Sequence, residues 1–114
     1  MEYSSPDGKF ADMEEFADVV WTAHPIGGPF PHVRCVYMFG QRQNHIDGID
    51  NKPVYIGVAE NLAERMQSHE RVPEALGRGA DTVFITYCET DNVSQQLEQR
   101  LIKELQPTLN TRHR

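Results

Sequence analysis

Six side chains in this chain have the types and spacing to act together on a phosphodiester: Tyr37, Tyr55, Arg65, His69, Glu98 and Asn110. The two phenols stand in neighbouring short apolar runs, Cys35–Phe39 and Val54–Gly57. Arg65 and His69 are four residues apart, which puts them on one side of a helix. A guanidinium there can hold a phosphate through two parallel hydrogen bonds and stabilise the charge of a pentavalent transition state. The phenols are harder to use as bases. With a pKa near 10, only about 0.1% is ionised at pH 7, a penalty of roughly 4 kcal/mol. Arg65 or a metal must lower that pKa, or His69 must accept the proton.

Glu98 follows the apolar Leu97 and shares a helical stripe with Ile102, Leu105 and Leu109. A carboxylate on such a boundary loses hydration and needs compensation. A salt bridge to Arg65 or Arg100 would supply it. So would a divalent cation, since one carboxylate with waters and a substrate phosphate suits Mg²⁺. The other candidates also have plainer readings. Tyr37 and Tyr55 are equally ordinary strand aromatics, Arg65 and His69 an exposed helix pair near Glu64, and Asn110 a residue that fixes the tail.

The elements that must carry these groups follow from pattern. Asp12 with Glu15 reads as a capping box, and Met13, Phe16, Val19 and Val20 repeat at helical spacing, so a helix is expected over about Asp12–Thr22. The segment His24–His32, with three prolines and two glycines, is expected to be loop. Strands are expected over about Arg34–Phe39, Val54–Val58 and Thr82–Tyr87. The first two form a hairpin across the polar stretch Gln41–Lys52, where Asp47–Gly48 is the turn signal. Asn61 with Glu64 starts a helix that carries Arg65 and His69, and Pro73 ends that region. Asn92 with Gln95 caps a last helix, stopped before Pro107. The predicted order is α–β–β–α–β–α, an α+β class in which a small three-stranded antiparallel sheet is flanked by helices.

Bulk properties bound the rest. A chain of 114 residues makes one domain, with residues 1–33 as an acidic extension and 34–110 as the core. The chain has no apolar run of 18 residues and no basic, apolar start at Met1–Phe10, so a soluble, cytoplasmic protein without membrane contact is expected. Cys35 and Cys88 lie far apart in apolar runs and read as free thiols, and the five histidines lack metal-ligand spacing. The net charge of −6 argues against a broad nucleic-acid surface. Six acids and one base fall within residues 1–24, leaving −1 on the remaining 90 residues, with a basic end at Arg112–His113–Arg114.

Val36–Tyr37, then Tyr55–Ile56–Gly57, then Asn61–Leu62–x–x–Arg65–x–x–x–His69, then Glu98–x–x–x–Ile102–x–x–Leu105–x–Pro107–x–x–Asn110 together resemble a GIY-YIG nuclease domain. The resemblance covers about Cys35 to Asn110. It implies a three-stranded antiparallel sheet with helices and endonuclease hydrolysis of DNA with one Mg²⁺ or Mn²⁺ ion. Tyr37 then acts as general base or positions the attacking water, and Tyr55 contacts phosphate or water. Arg65 binds phosphate and stabilises the transition state, with Gly57 at the substrate. His69 supports Tyr37 or the water, Glu98 binds the metal, and Asn110 braces the site. Cys35 departs from the usual glycine of the first motif, the Tyr37-to-Tyr55 span is long, and residues 1–24 have no counterpart. That acidic segment is expected to shield the site, bind a protein partner or form a homodimer. Without an added DNA-binding module, DNA affinity should be weak and salt-sensitive. The rival reading is a non-catalytic adaptor that keeps the fold; RNA as substrate also stays open.

Overall fold

Cys35, Tyr37 and Phe39 alternate with Val36 and Met38 along one strand, and this period of two decides the layering of the protein. The computed structural model describes residues 12–41, 53–107 and 109–110. Its strands are β1 (Asp12–Phe16), β2 (Val19–Pro25), β3 (Cys35–Gly40), β4 (Tyr55–Ala59) and β5 (Thr82–Tyr87). Its helices are α1 (Leu62–Met66), α2 (Val72–Gly77) and α3 (Asp91–Leu105). The strands form one antiparallel sheet in the order β1-β2-β5-β3-β4.

Strand β3 lies between β5 and β4, and all six of its residues are buried. On one face, Cys35, Tyr37 and Phe39 pack with Val83 and Ile85 of β5 against Leu62 of α1 and Ala75 of α2. On the other, Val36 and Met38 pack with Trp21, Ile56 and Phe84 against Leu101 of α3. Two cores, one on each side of the sheet, are thus set by one alternating strand.

The three strands predicted around the site are present, and β5 has the expected bounds. The sheet nevertheless has five strands rather than three. The helix expected over Asp12–Thr22 is instead the hairpin β1–β2, paired from Asp12↔Ala23 to Phe16↔Val19. Its two-residue turn, Ala17–Asp18, has positive φ at both positions (56° and 64°), as a type I′ turn requires. The apolar set also fits a strand: Val19, Trp21 and Ala23 alternate onto the α3 face, and Trp21 is 1% exposed. Burial of Trp21 against α3 outweighs the helical spacing of Phe16, Val19 and Val20. Strand β2 then runs through His24 and Pro25, two residues expected to be loop, by pairing with β5.

Pro73 does not simply end the preceding helix. It sits in the first turn of α2, where a missing N–H costs nothing. Asn61 caps α1 as predicted, accepting from Glu64 N–H at 3.2 Å, but α1 ends at Met66, so it carries Arg65 and not His69, which was expected on the same helix. The cap of α3 is Thr90 rather than Asn92, its hydroxyl accepting from Val93 N–H at 3.1 Å. The turn expected at Asp47–Gly48, the N-terminal residues before Asp12 and the basic end Arg112–Arg114 lie outside the described residues. No helix among the described residues is long and apolar enough to cross a membrane.

Candidate active site at the β4 edge

Register places the two phenols. Tyr37 lies opposite Gly57, and Phe39 opposite Tyr55, so all three aromatic rings come to the α1/α2 face. Their centroids are 5.5 to 6.2 Å apart. His69, in the turn between α1 and α2, closes the cluster edge-on, 5.7 Å from Tyr37 and 5.3 Å from Tyr55. Phe39 lies 5.0 Å from His69 and holds this group together. It was not singled out from sequence, although its position two residues after Tyr37 places it on the same face.

Gly57 is required for this arrangement. A Cβ there would fall 2.6 Å from the Tyr37 hydroxyl and 2.9 Å from the Tyr55 ring. Its expected place at the substrate is therefore joined by a clear packing role: it leaves room for the Tyr37 phenol to lie across β4.

The hydrogen bonds of His69 fix its protonation. Its Nδ1 accepts from the backbone N–H of Arg71 at 3.0 Å, and a backbone amide can only donate. Burial, with Arg65 nearby, lowers the imidazole pKa to about 4, so the ring is neutral at pH 7. The single ring proton is then on Nε2 and points to the Tyr37 oxygen, 2.7 Å away. His69 donates to Tyr37 and cannot take its proton in this tautomer. Burial raises the Tyr37 pKa further, which opposes a free phenolate.

This shift sets a pH dependence. Between about pH 6.5 and 4 the unfolded imidazole binds a proton that the folded one excludes, so stability is full above pH 6.5 and falls toward pH 4. The loss attributable to His69 should be on the order of 1–3 kcal/mol. Urea unfolding at pH 7 and 4.5 should show it in wild type and show a smaller loss in His69→Gln; parallel losses would contradict the assignment.

Tyr55 is half-buried at the sheet edge. Burial raises its pKa, Arg65 opposes that shift, and the Glu98 charge adds to it. Glu98, on α3, thus lies within electrostatic range of Tyr55. Its carboxyl is held above the usual carboxylate range by desolvation. Neither predicted cationic partner takes it: Arg65 pairs with Glu70 at 3.0 Å, and Arg100 with Glu104 at 3.2 Å. Among the described residues no cluster of three His, Cys, Asp or Glu side chains exists that could enclose a metal. A half-buried carboxylate without an ion-pair partner among those residues suits a cation that retains most of its waters. Glu98 therefore fits a Mg²⁺ or Mn²⁺ ligand.

Asn110 acts on backbone. Its Oδ1 accepts from Ile56 N–H at 2.9 Å and its Nδ2 donates to Ile56 C=O at 3.0 Å, while Leu109 N–H donates to Val54 C=O at 2.9 Å. The tail thereby satisfies the outer edge of β4 between the two residues that flank Ile56, Tyr55 and Gly57. Asn110→Ala should strand both Ile56 groups and cost roughly 2–4 kcal/mol. Denaturant titration should detect this; unchanged stability would contradict the bracing role.

Tyr37, Tyr55 and His69 are thus in contact on the α1/α2 side, with the charge of Arg65 acting on both phenols and that of Glu98, on α3, acting on Tyr55. A family model described as the GIY-YIG catalytic domain matches residues 34–112. The chain belongs to the GIY-YIG family. The match begins just before β3, so the β1–β2 hairpin lies outside it. Solved structures of the GIY-YIG N-terminal endonuclease domain of UvrC from Thermotoga maritima resemble it. A tyrosine-to-phenylalanine mutant bound to its catalytic divalent cation is 28% identical, with a TM-score of 0.55 over 71% of this chain and 86% of that one. The magnesium-bound form is 27% identical, with a TM-score of 0.54 over the same shares. An asparagine-to-alanine mutant, also cation-bound, is 28% identical, with a TM-score of 0.53 over 68% of this chain and 82% of that one. No curated protein sequence matches the chain.

Proposed function

We propose that this GIY-YIG domain is an endonuclease that hydrolyses DNA phosphodiester bonds with one divalent cation. The observation that supports it most is the carboxylate of Glu98, half-buried, desolvated and without an ion-pair partner among the described residues, in the field of Tyr55. The cation-bound endonuclease domains that resemble this chain point the same way.

Arg65, one-third exposed, binds the scissile phosphate and stabilises the charge that builds on it. His69 donates Nε2–H to the Tyr37 oxygen, so the proton of Tyr37 itself is directed away from the imidazole. Tyr37 accordingly orients the attacking water more readily than it deprotonates it, and His69 orients Tyr37. If Tyr37 does lose its proton in the reaction, the same His69 N–H stabilises the phenolate. Tyr55 contacts the phosphate from the exposed side. Glu98 would hold a Mg²⁺ or Mn²⁺ ion, which would supply Lewis-acid charge at the phosphate. Gly57 and Asn110 keep the Tyr37 and Tyr55 rings at their places.

Incubation with single-stranded, duplex and branched DNA at low salt with Mg²⁺ or Mn²⁺ tests the reading. Metal-dependent cleavage of at least one is expected, and Arg65→Ala should slow it about 10²–10³-fold. Intact DNA across the whole set, at high protein concentration and over a broad pH range, would overturn it. The net charge of −6 favours a second reading, an adaptor that binds a protein through its acidic N-terminal region. Under that reading a stable partner is retained by both Arg65→Ala and Glu98→Ala.

A further inference from the structure

Glu70 belongs to none of the roles above, yet its carboxylate stands where a phosphate ligand of Arg65 would stand. Its Oε1 accepts from an Arg65 guanidinium nitrogen at 3.0 Å, and its side chain is 68% exposed against 33% for Arg65. The other terminal nitrogen of Arg65 reaches Ser68 C=O at 3.5 Å, a contact within its own turn. The charge of Glu70 also acts on Tyr37, Tyr55 and His69, so the carboxylate lies in the field of the whole group. Guanidinium recognises carboxylate and phosphate oxygens by the same paired hydrogen bonds. An exposed pair of this kind is weak and screened by salt, and a phosphodiester can displace it.

We propose that Glu70 is a specificity-determining gate on Arg65, whose carboxylate occupies the guanidinium until a DNA phosphate displaces it. The gate rests on the reading of Arg65 as the phosphate ligand. It raises the threshold for loosely held nucleic acid, because each substrate must first break the Arg65–Glu70 pair and then tolerate a carboxylate beside it. A well-seated phosphate that also meets the cation overcomes this, whereas a glancing backbone contact does not.

Glu70→Gln keeps the shape and removes the charge. Binding of a fluorescent duplex is measured by anisotropy at low salt without divalent cation, alongside steady-state cleavage with Mg²⁺. The gate predicts that Kd and KM both fall about three- to ten-fold, that kcat stays within about two-fold, and that the gain shrinks toward physiological salt. Glu104→Gln, which removes an equal charge from the Arg100 pair on α3, should change Kd by less than about two-fold. In an Arg65→Ala background the substitution at Glu70 should no longer improve binding.

Unchanged or weaker DNA binding by Glu70→Gln would overturn the gate. So would an equal gain from Glu104→Gln, which would reduce the effect to net charge. A lower thermal midpoint with reduced kcat and unmoved Kd would make Glu70 a structural residue instead. Because anisotropy needs no cleavage, the two readings separate. Tighter binding by Glu70→Gln with no cutting by wild type leaves the gate standing and removes the nuclease; cutting with no gain in binding does the reverse.

Discussion

Glu98→Gln is expected to abolish metal-dependent cleavage while leaving the fold equally stable or more so. The two effects have one cause. Desolvation without an ion-pair partner among the described residues holds the carboxyl above its usual range, so the ionised form is disfavoured in the folded chain. A neutral amide of the same size removes that cost, and the thermal midpoint without metal should stay level or rise by up to about 5 °C. The same substitution removes the anionic oxygen needed by a hard divalent cation. Loss of Lewis-acid charge at the phosphate should slow the reaction by at least about 10³-fold. Calorimetric titration with Mn²⁺ should show binding to wild type and none to the variant. A fall in midpoint of several degrees would instead mean that Glu98 has a structural partner.

Gly57→Ala should be nearly as damaging, through geometry rather than charge. The added methyl would fall 2.6 Å from the Tyr37 hydroxyl and 2.7 Å from the carbon bearing it. Tyr37 is 1% exposed and confined by Phe39, Tyr55 and His69, so it has no free direction in which to move. Overpacking of this kind costs about 1–3 kcal/mol. A displacement of about 1 Å in a group that orients a reactant costs on the order of 10²-fold in rate. Thermal unfolding and single-turnover cleavage should both show the loss. Full activity in Gly57→Ala would mean that the Tyr37 hydroxyl is not needed where it lies.

The strands that carry Tyr37 and Tyr55 and the cap of α1 were legible because they depend on local rules. The short apolar runs Cys35–Phe39 and Val54–Gly57 put Tyr37 and Tyr55 on strands, and the Asn61 cap fixed the start of the helix that begins with Leu62. The hairpin β1–β2 was not legible for an equally local reason. Ala17–Asp18 lacks the Asn-Gly or Asp-Gly signature of its turn, and the residues around it satisfy a helical period as well as a strand period. Only contact with α3, through Trp21, decides between them. The hydrogen bond that selects the His69 tautomer was hidden too, since it comes from a backbone amide, that of Arg71. Glu98 illustrates a different gap. Periodicity placed it at a core boundary, but the pairing of Arg65 with Glu70 and of Arg100 with Glu104 is what leaves it without a cation among the described residues.

Single-turnover cleavage of labelled duplex and branched DNA at low salt, by wild type and Glu98→Gln with Mn²⁺ or with a chelator, tests the central claim most directly. Cutting by wild type with Mn²⁺ alone, and by neither protein in chelator, is the predicted result. Equal cutting by wild type and Glu98→Gln, or no cutting by wild type with Mn²⁺, would contradict it.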